Sequence, residues 1–384
     1  MKSLLVVGAG PAGLAAALSA SDRGFDVTVL EGEDVGHALT SWGRTRFFSP
    51  LRMNLPARAL RLLGGALPGD DALLTGIEMV EGVLRPLAQS PPLAGRVRTR
   101  HRVMAIGRAG LSRSDFPGHP LRSERRFRVL AETPDGERVF EADIVLDASG
   151  VALPNPVGRG GIPAPGEKSL GYGVLRDLGA LDRSLESLAG RRVLLVGHGH
   201  SAANAILRLA EIGARDDSSR VIWAVRSRNR RPCVEIAGDP LPERRRVSAA
   251  ANDLAEDPPP FLAVLRRAAV EAIEPAGEGA RVSLTAGRVA EVDRVVSLTG
   301  YRPDWSFLSE LPIEISPVTE GAGRLSRALA NVTDCLSPPH VAPRDLESGE
   351  PRFYAIGSKS YGRSRAFLLR SGFAQTETIL DSLN

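Results

Sequence analysis

Gly8, Gly10 and Gly13 stand between a short apolar run, Leu4–Val7, and a helical pattern, Leu14–Ser21. Gly24 stops that pattern, and a second apolar run, Val27–Leu30, ends on Glu31. Strand, Gly-x-Gly-x-x-Gly turn, helix, strand and acid together make the βαβ unit that holds a dinucleotide. Gly8 permits the tight turn, Gly10 keeps a Cβ out of the path of a pyrophosphate, and Gly13 lets the helix approach the strand. Pro11 and Ala12 open the helix, whose free N–H groups and dipole favour an anion. Glu31 is placed to accept a hydrogen bond from a ribose hydroxyl. The motif alone admits either a flavin or a nicotinamide dinucleotide.

A second copy lies in the other half of the chain. Arg192–Val196 reads as a strand, Gly197, Gly199, His200, Ser201 and Ala202 form a Gly-x-Gly-x-x-Ala turn, and a helix follows from about Ala203 to Ile212, with Asn204 in its first turn. The next strand, Val221–Val225, ends in Arg226 rather than an acid. An acid there suits a free 2′-hydroxyl, whereas an arginine fork suits a 2′-phosphate, so this site is expected to take NADPH rather than NADH. Arg228, Arg230 and Arg231 either extend that preference or form a solvated basic loop. His200 either contacts phosphate or makes a hydrogen bond within the turn. Gly300, in the small-residue end of the strand Arg294–Leu298, is counted with the same site. Two motifs imply two dinucleotides, a hydride donor and a bound acceptor. The first site has its acid, and FAD carries no 2′-phosphate, so FAD is assigned there.

Other elements must position these groups. The loop Gly32–Asn54 holds Trp42, Phe47, Phe48 and Met53, which either wall a flat ring or pack a long loop. Ala57–Leu63 and Thr75–Gln89 are expected to be helices, the latter with Ile77, Val80, Leu84 and Leu87 on its buried face. Arg96–Ile106 reads as a strand, and Val103 within it is counted with the FAD site. A hairpin turns at Pro134-Asp135-Gly136. The strand Asp143–Leu146 ends in Asp147-Ala148-Ser149-Gly150, where Ser149 and Gly150 allow backbone to approach a cofactor. Ser248–Asp257 and Phe261–Ala272 read as helices. Phe353–Ile356 is a last short strand leading to Gly357 and Ser358, and Phe367 sits near the start of a final helix, Arg365–Leu383. The expected fold is α/β, with two Rossmann-like three-layer domains. The FAD domain covers residues 1–165 and 299–384, with the NADPH domain, residues 166–298, inserted.

The chain has 384 residues, 43% hydrophobic and 24% charged, in the range of a globular protein of two domains. A net charge of +4 with no basic run interleaved with aromatics gives no nucleic-acid footprint. No apolar stretch approaches a membrane span, and the first strand begins at once, so the expectation is a cytoplasmic protein with no membrane partner. The two cysteines, Cys233 and Cys335, form no Cys-x-x-Cys, which removes both a dithiol of that spacing and a zinc cluster. No metal is expected.

These features resemble the two-dinucleotide-domain flavoproteins, a superfamily that includes flavin-containing monooxygenases and thioredoxin reductases. The resemblance rests on Val7–Gly13, Asp147–Gly150, Gly197–Ala202, Leu298–Tyr301 and Phe353–Gly357. More narrowly, the chain is similar to a bacterial group of FAD-dependent oxidoreductases through Phe48-Ser49-Pro50, Gly199-His200-Ser201-Ala202-Ala203-Asn204 and Lys359–Arg363. Leu170–Arg192 lacks the Phe-x-Gly-x-x-x-His fingerprint of flavin-containing monooxygenases. Ser358 stands where the superfamily often has an aspartate on the flavin ribityl chain. Three functions are weighed. The first is an NADPH-using monooxygenase that acts through a flavin C4a-(hydro)peroxide on a small heteroatom or carbonyl substrate, with O2 as co-substrate. The second is a reductase that passes electrons to an external acceptor, and the third a flavin redox sensor. No residue declares itself catalytic. Cys335 is a thiol relay or a spectator, and His340 a proton donor or a loop residue. Lys359 is either a positive charge beside the flavin or a solvated side chain. The substrate is unread, and the oligomeric state is open between monomer and homodimer.

Overall fold

The computed structural model describes residues 1–332, 336 and 341–383. The chain divides into two compact units, the first formed by residues 1–39, 49–153 and 301–384, the second by residues 40–48 and 154–300. This division differs from the expected one in two ways: the crossings fall at residues 153/154 and 300/301, and a short piece of the first third, residues 40–48, is folded into the second unit. The crossings fall within or beside two-residue strands, β8 (Leu153–Pro154) and β17 (Tyr301–Arg302).

The first unit is built on a parallel sheet. Its strands in chain order are β1 (Ser3–Val7), β2 (Asp26–Leu30), β3 (Val97–Arg98), β7 (Ile144–Asp147) and β18 (Phe353–Ala355), in spatial order β18-β7-β1-β2-β3. Successive side chains of β1 point to opposite faces. Leu5 and Val7 join Val145 and Phe353 against Ile106, Phe127 and Val129 of an antiparallel layer formed by β4 (Arg102–Arg108), β5 (Phe127–Thr133) and β6 (Gly136–Ala142). The helix Pro11–Asp22 has Pro at its first position, where the missing N–H costs nothing. Its alanines are buried almost all round, which lets it pack closely against the final helix, Leu369–Leu383.

The second unit repeats this plan. Parallel strands β9 (Val174–Leu175), β10 (Arg192–Val196), β11 (Arg220–Val225), β12 (Leu262–Arg266) and β16 (Arg294–Ser297) lie in the order β12-β11-β10-β16-β9. Val193 and Leu195 face the helices His200–Gly213 and Pro242–Glu256 through Ile206, Leu209, Val247 and Ala251. Leu194 and Val196 face an antiparallel layer of β13 (Val270–Ala276), β14 (Gly279–Leu284) and β15 (Arg288–Val292).

Three expectations need correction. Phe261–Ala272 is not a helix but contains β12 and the start of β13. The apolar run Leu262–Leu265 is too short for its period to separate strand from helix, and the parallel sheet recruits it beside β11. Arg267 then turns the chain at φ 52°. Arg96–Ile106 is two strands serving different sheets, broken where Arg100 takes φ 56°. The helix beginning at Gly76 widens by one residue per turn over Val80–Leu84, just before Pro86, which has no N–H to donate. That widening rotates the buried face to Met79, Val80, Val83, Leu84 and Leu87 and leaves Ile77 exposed.

Candidate functional site: two glycine turns

The first turn shows what each glycine does. Gly8 takes φ 98°, and a Cβ on it would lie 2.9 Å from the Ala148 carbonyl oxygen. A Cβ on Gly13 would lie 2.0 Å from the Gly8 oxygen, so any side chain there drives the helix off the turn. Around Gly10 the position of a Cβ is open for 4 Å. The helix that follows has no side-chain cap and no acid in its first turn, so its leading N–H groups are not taken by a side chain. Glu31 reaches back from the end of β2, accepting from the Ala9 N–H at 2.7 Å and the Glu33 N–H at 3.0 Å. An open second glycine, an uncapped helix start and a carboxylate at the turn fit a dinucleotide bound through its pyrophosphate and ribose.

The structure brings several expected residues to this turn. Gly357 (φ 65°) packs against Ala12, its Cβ position 2.9 Å from the Ala12 methyl, and a Cβ on Gly150 would lie 3.4 Å from the Ser358 hydroxyl. The ends of β1, β7 and β18 therefore converge on Gly8–Gly13, Ser149–Gly150 and Gly357–Ser358. Phe367 lies edge-on to Tyr361 at 5.2 Å. Met53, in the short helix Leu51–Asn54, and Val103, opposite Ala131 on β4, are half-buried. Trp42 belongs to the second unit and packs on Phe47 at 4.7 Å.

Lys359 is not solvated. It is fully buried, its Nζ 2.6 Å from Asp147 Oδ2, and it donates to Ser149 Oγ at 3.0 Å and to the Asp304 carbonyl at 2.7 Å. The rings of Trp305 and Phe307 lie 4.7 and 4.2 Å from the ammonium. Its charge is matched by Asp147, so it ties the end of β7 to the residues after β18 and holds Ser149 in place. Gln375, from the final helix, secures the same segment by accepting from the Gly357 N–H and the Ser360 hydroxyl, both at 3.2 Å. Nothing in the spacing of Asp147, Lys359 and Gln375 announces these contacts. Cys335 and His340 lie outside the described residues. Cys233 is buried, and burial pushes its thiol up to about 12, which makes it inert.

The second turn repeats the first. Gly197 (φ 129°) would carry a Cβ 2.4 Å from the Leu298 oxygen, the position around Gly199 is open for 4 Å, and Ala202 is buried against Gly197. The helix beginning at His200 also lacks a side-chain cap and an early acid. Trp223, buried on β11, donates its indole N–H to the Gly197 oxygen at 2.7 Å, a brace the motif does not reveal. His200 and Ser201 are exposed, and the Asn204 amide donates to the His200 carbonyl at 3.0 Å. Gly300 (φ 92°) accepts from the Asn155 N–H at 2.9 Å. Arg226 is exposed at the end of β11, and among the described residues its guanidinium has no ion pair. The neighbouring arginines divide. Arg231 is held by Glu235, Asp253 and Glu256, and Arg230 by Glu256, so neither is a spare phosphate ligand.

Residues 3–80 match the family model described as DAO, FAD dependent oxidoreductase. The fold matches solved structures over the whole chain. A bacillithiol disulfide reductase from Bacillus cereus superposes with a TM-score of 0.69 at 19% identity, covering 100% of this chain and 98% of that one. The ornithine N-hydroxylase of Kutzneria sp. 744 gives 0.67 at 17% identity, covering 100% and 99%. The thioredoxin reductase of T. acidophilum gives 0.60 at 19%, covering 100% and 99%. The chain has the α/β fold of these structures, with two units that are each built on a parallel sheet and a glycine turn. No helix among its described residues is long and apolar enough to cross a membrane.

Two substitutions separate binding from folding at the first turn. A Cβ at Gly10 has no protein atom within 4 Å, so Gly10→Val is expected to fold but to purify without flavin absorbance. Gly13→Ala collides with the Gly8 carbonyl and lowers the melting temperature. A yellow Gly10→Val protein would contradict the assignment of FAD to this turn. Lys359→Met leaves Asp147 buried and unpaired, at a cost of about 3–5 kcal/mol in urea unfolding. Adding Asp147→Leu recovers most of that loss if the pair is as closed as its geometry indicates.

Proposed function

We propose that this protein is an NADPH-dependent FAD oxidoreductase that oxygenates a small molecule carrying a soft heteroatom or a carbonyl. The observation that carries the nicotinamide half is Arg226. It is an exposed guanidinium at the end of the strand that follows the second glycine turn and its helix, the place where an acid would select a free 2′-hydroxyl. The first turn, with Glu31 in place of such an arginine, suits the FAD ribose.

On this reading Gly8–Gly13, Glu31, Ser149–Gly150 and Gly357–Ser358 hold FAD, and Gly197–Ala202, Asn204 and Arg226 hold NADPH. Bound FAD supplies two-electron chemistry with a nicotinamide and reaction with dioxygen. The protein's own groups orient the two dinucleotides by their phosphates, and the buried Lys359–Asp147 pair keeps Ser149 and the start of Ser358–Tyr361 in register. Oxygenation is favoured over thiol relay because the sequence has no Cys-x-x-Cys and Cys233 is buried. The similarity to hydroxylases supports oxygenation, and the similarity to reductases supports the competing reading, electron transfer to an external acceptor.

Arg226→Asp is expected to raise KM for NADPH about 10- to 100-fold, the scale of a lost charge-assisted hydrogen bond, while leaving NADH unchanged or improved. An unaltered preference for NADPH would remove the 2′-phosphate role. The reaction class is tested with NADPH in air and a thioether, a primary amine and arsenite as probes. A monooxygenase places one atom from labelled dioxygen in a product and releases less peroxide than NADPH consumed. Stoichiometric peroxide with every probe, together with rapid ferricyanide reduction, would favour the reductase.

A further inference from the structure

The segment 40–48 leaves the first unit, folds into the second and returns. Its anchoring is unusually complete. The Gly179 N–H donates to the Ser41 carbonyl at 2.7 Å, and the Arg44 N–H donates to Asp182 Oδ2 at 2.6 Å. Gly43 takes φ 57°, and a Cβ on it would lie 2.0 Å from the same carboxylate. Arg208, from the helix His200–Gly213, is buried, pairs with Asp182 at 3.2 Å and donates to Thr45 Oγ1 at 2.6 Å. The strap is thus fastened to the very helix that the second glycine turn opens.

Its last residue meets the turn itself. The half-buried ring of Phe48 lies 5.1 Å from the His200 imidazole, edge-on at 77°. His200 is the exposed first residue of its helix and follows Gly199, whose surroundings are open. Phe-Ser-Pro and Gly-His-Ser-Ala-x-Asn, two motifs far apart in sequence, therefore make contact in the fold. The edge-on ring contact narrows the rotamers open to the imidazole, and a group already ordered before a ligand arrives removes part of the ordering cost of binding.

We propose that Phe48 is a positioning residue of the second dinucleotide site, holding the His200 imidazole over the Gly197–Ala202 turn, where it contacts a phosphate of NADP(H). This rests on the reading that the second turn binds NADPH. The strap, expected from sequence to wall a flat ring or pack a loop, then serves the nicotinamide nucleotide.

The test is calorimetric titration of the FAD-loaded full-length protein with NADP+, which needs no turnover. Phe48→Ala is expected to raise Kd about three- to tenfold, the scale of an aromatic pair, with flavin content unchanged. Phe48→Leu fills similar volume without a ring and is expected to lose as much, whereas Phe48→Tyr keeps wild-type affinity. His200→Ala weakens binding at least as far, and the double variant Phe48→Ala/His200→Ala binds no worse than His200→Ala alone. Wild-type affinity in Phe48→Ala, or losses that multiply in the double variant, would overturn the positioning role. Gly199→Val separates the two readings: it abolishes NADP+ binding if the turn is the site. Normal binding in that variant would overturn the site and the proposal together, whereas lost binding beside an unaffected Phe48→Ala overturns the proposal alone.

Discussion

Everything at both candidate sites follows from one steric constraint, the approach of the first glycine of each turn to the carbonyl at the end of a neighbouring strand. At Gly8 and Gly197 the space a Cβ needs is already filled by Ala148 and Leu298 oxygens. Both glycines have positive φ, which bends the chain away from the sheet and aims the next helix across its end. Gly10 and Gly199 then stand open because the turn has swung clear. The two units share this device although one is continued by a carboxylate and the other by a guanidinium. The constraint is architectural, and the chemistry is set by what the following strand presents.

The parts of the fold governed by local rules were legible in the sequence. Ala57–Leu63 and Arg192–Val196 form the elements their patterns announce, and both glycine turns lie where spacing puts them. Legibility failed where a segment's state depends on distant partners. Leu262–Leu265 becomes a strand because β11 offers an edge, and Val97–Arg98 parts from Arg102–Arg108 because two different sheets claim them. The site was legible to the same degree. The glycines and strand-end residues were found from spacing, but the ion pair of Lys359 with Asp147 and the braces from Gln375 and Trp223 join positions that no period relates.

Buried charge is the other recurring theme. Arg108 and Arg122 share Glu350 with no exposure of the charged groups, and Arg108 lies 3.5 Å over the Phe127 ring. Burial pulls the Arg108 guanidinium below its ordinary value while Glu350 opposes the shift. Such pairs gain little net stability over apolar packing but penalise any arrangement that separates them. The pairs of Arg108 and Arg122 with Glu350, and of Lys359 with Asp147, join segments remote in sequence, so they fix a register that apolar contacts would leave tolerant of slippage.

The strap has a consequence for how this protein can be taken apart or recombined. Residues 154–300 look like a continuous insertion that could be cut out at two points and grafted elsewhere. They are not self-sufficient: without residues 40–48, Arg208 loses Thr45, and the surface around Asp182 and Gly179 loses the backbone that covers it. The modular unit is discontinuous. A chimera or an isolated domain that keeps its internal contacts must carry nine residues borrowed from the other half of the chain.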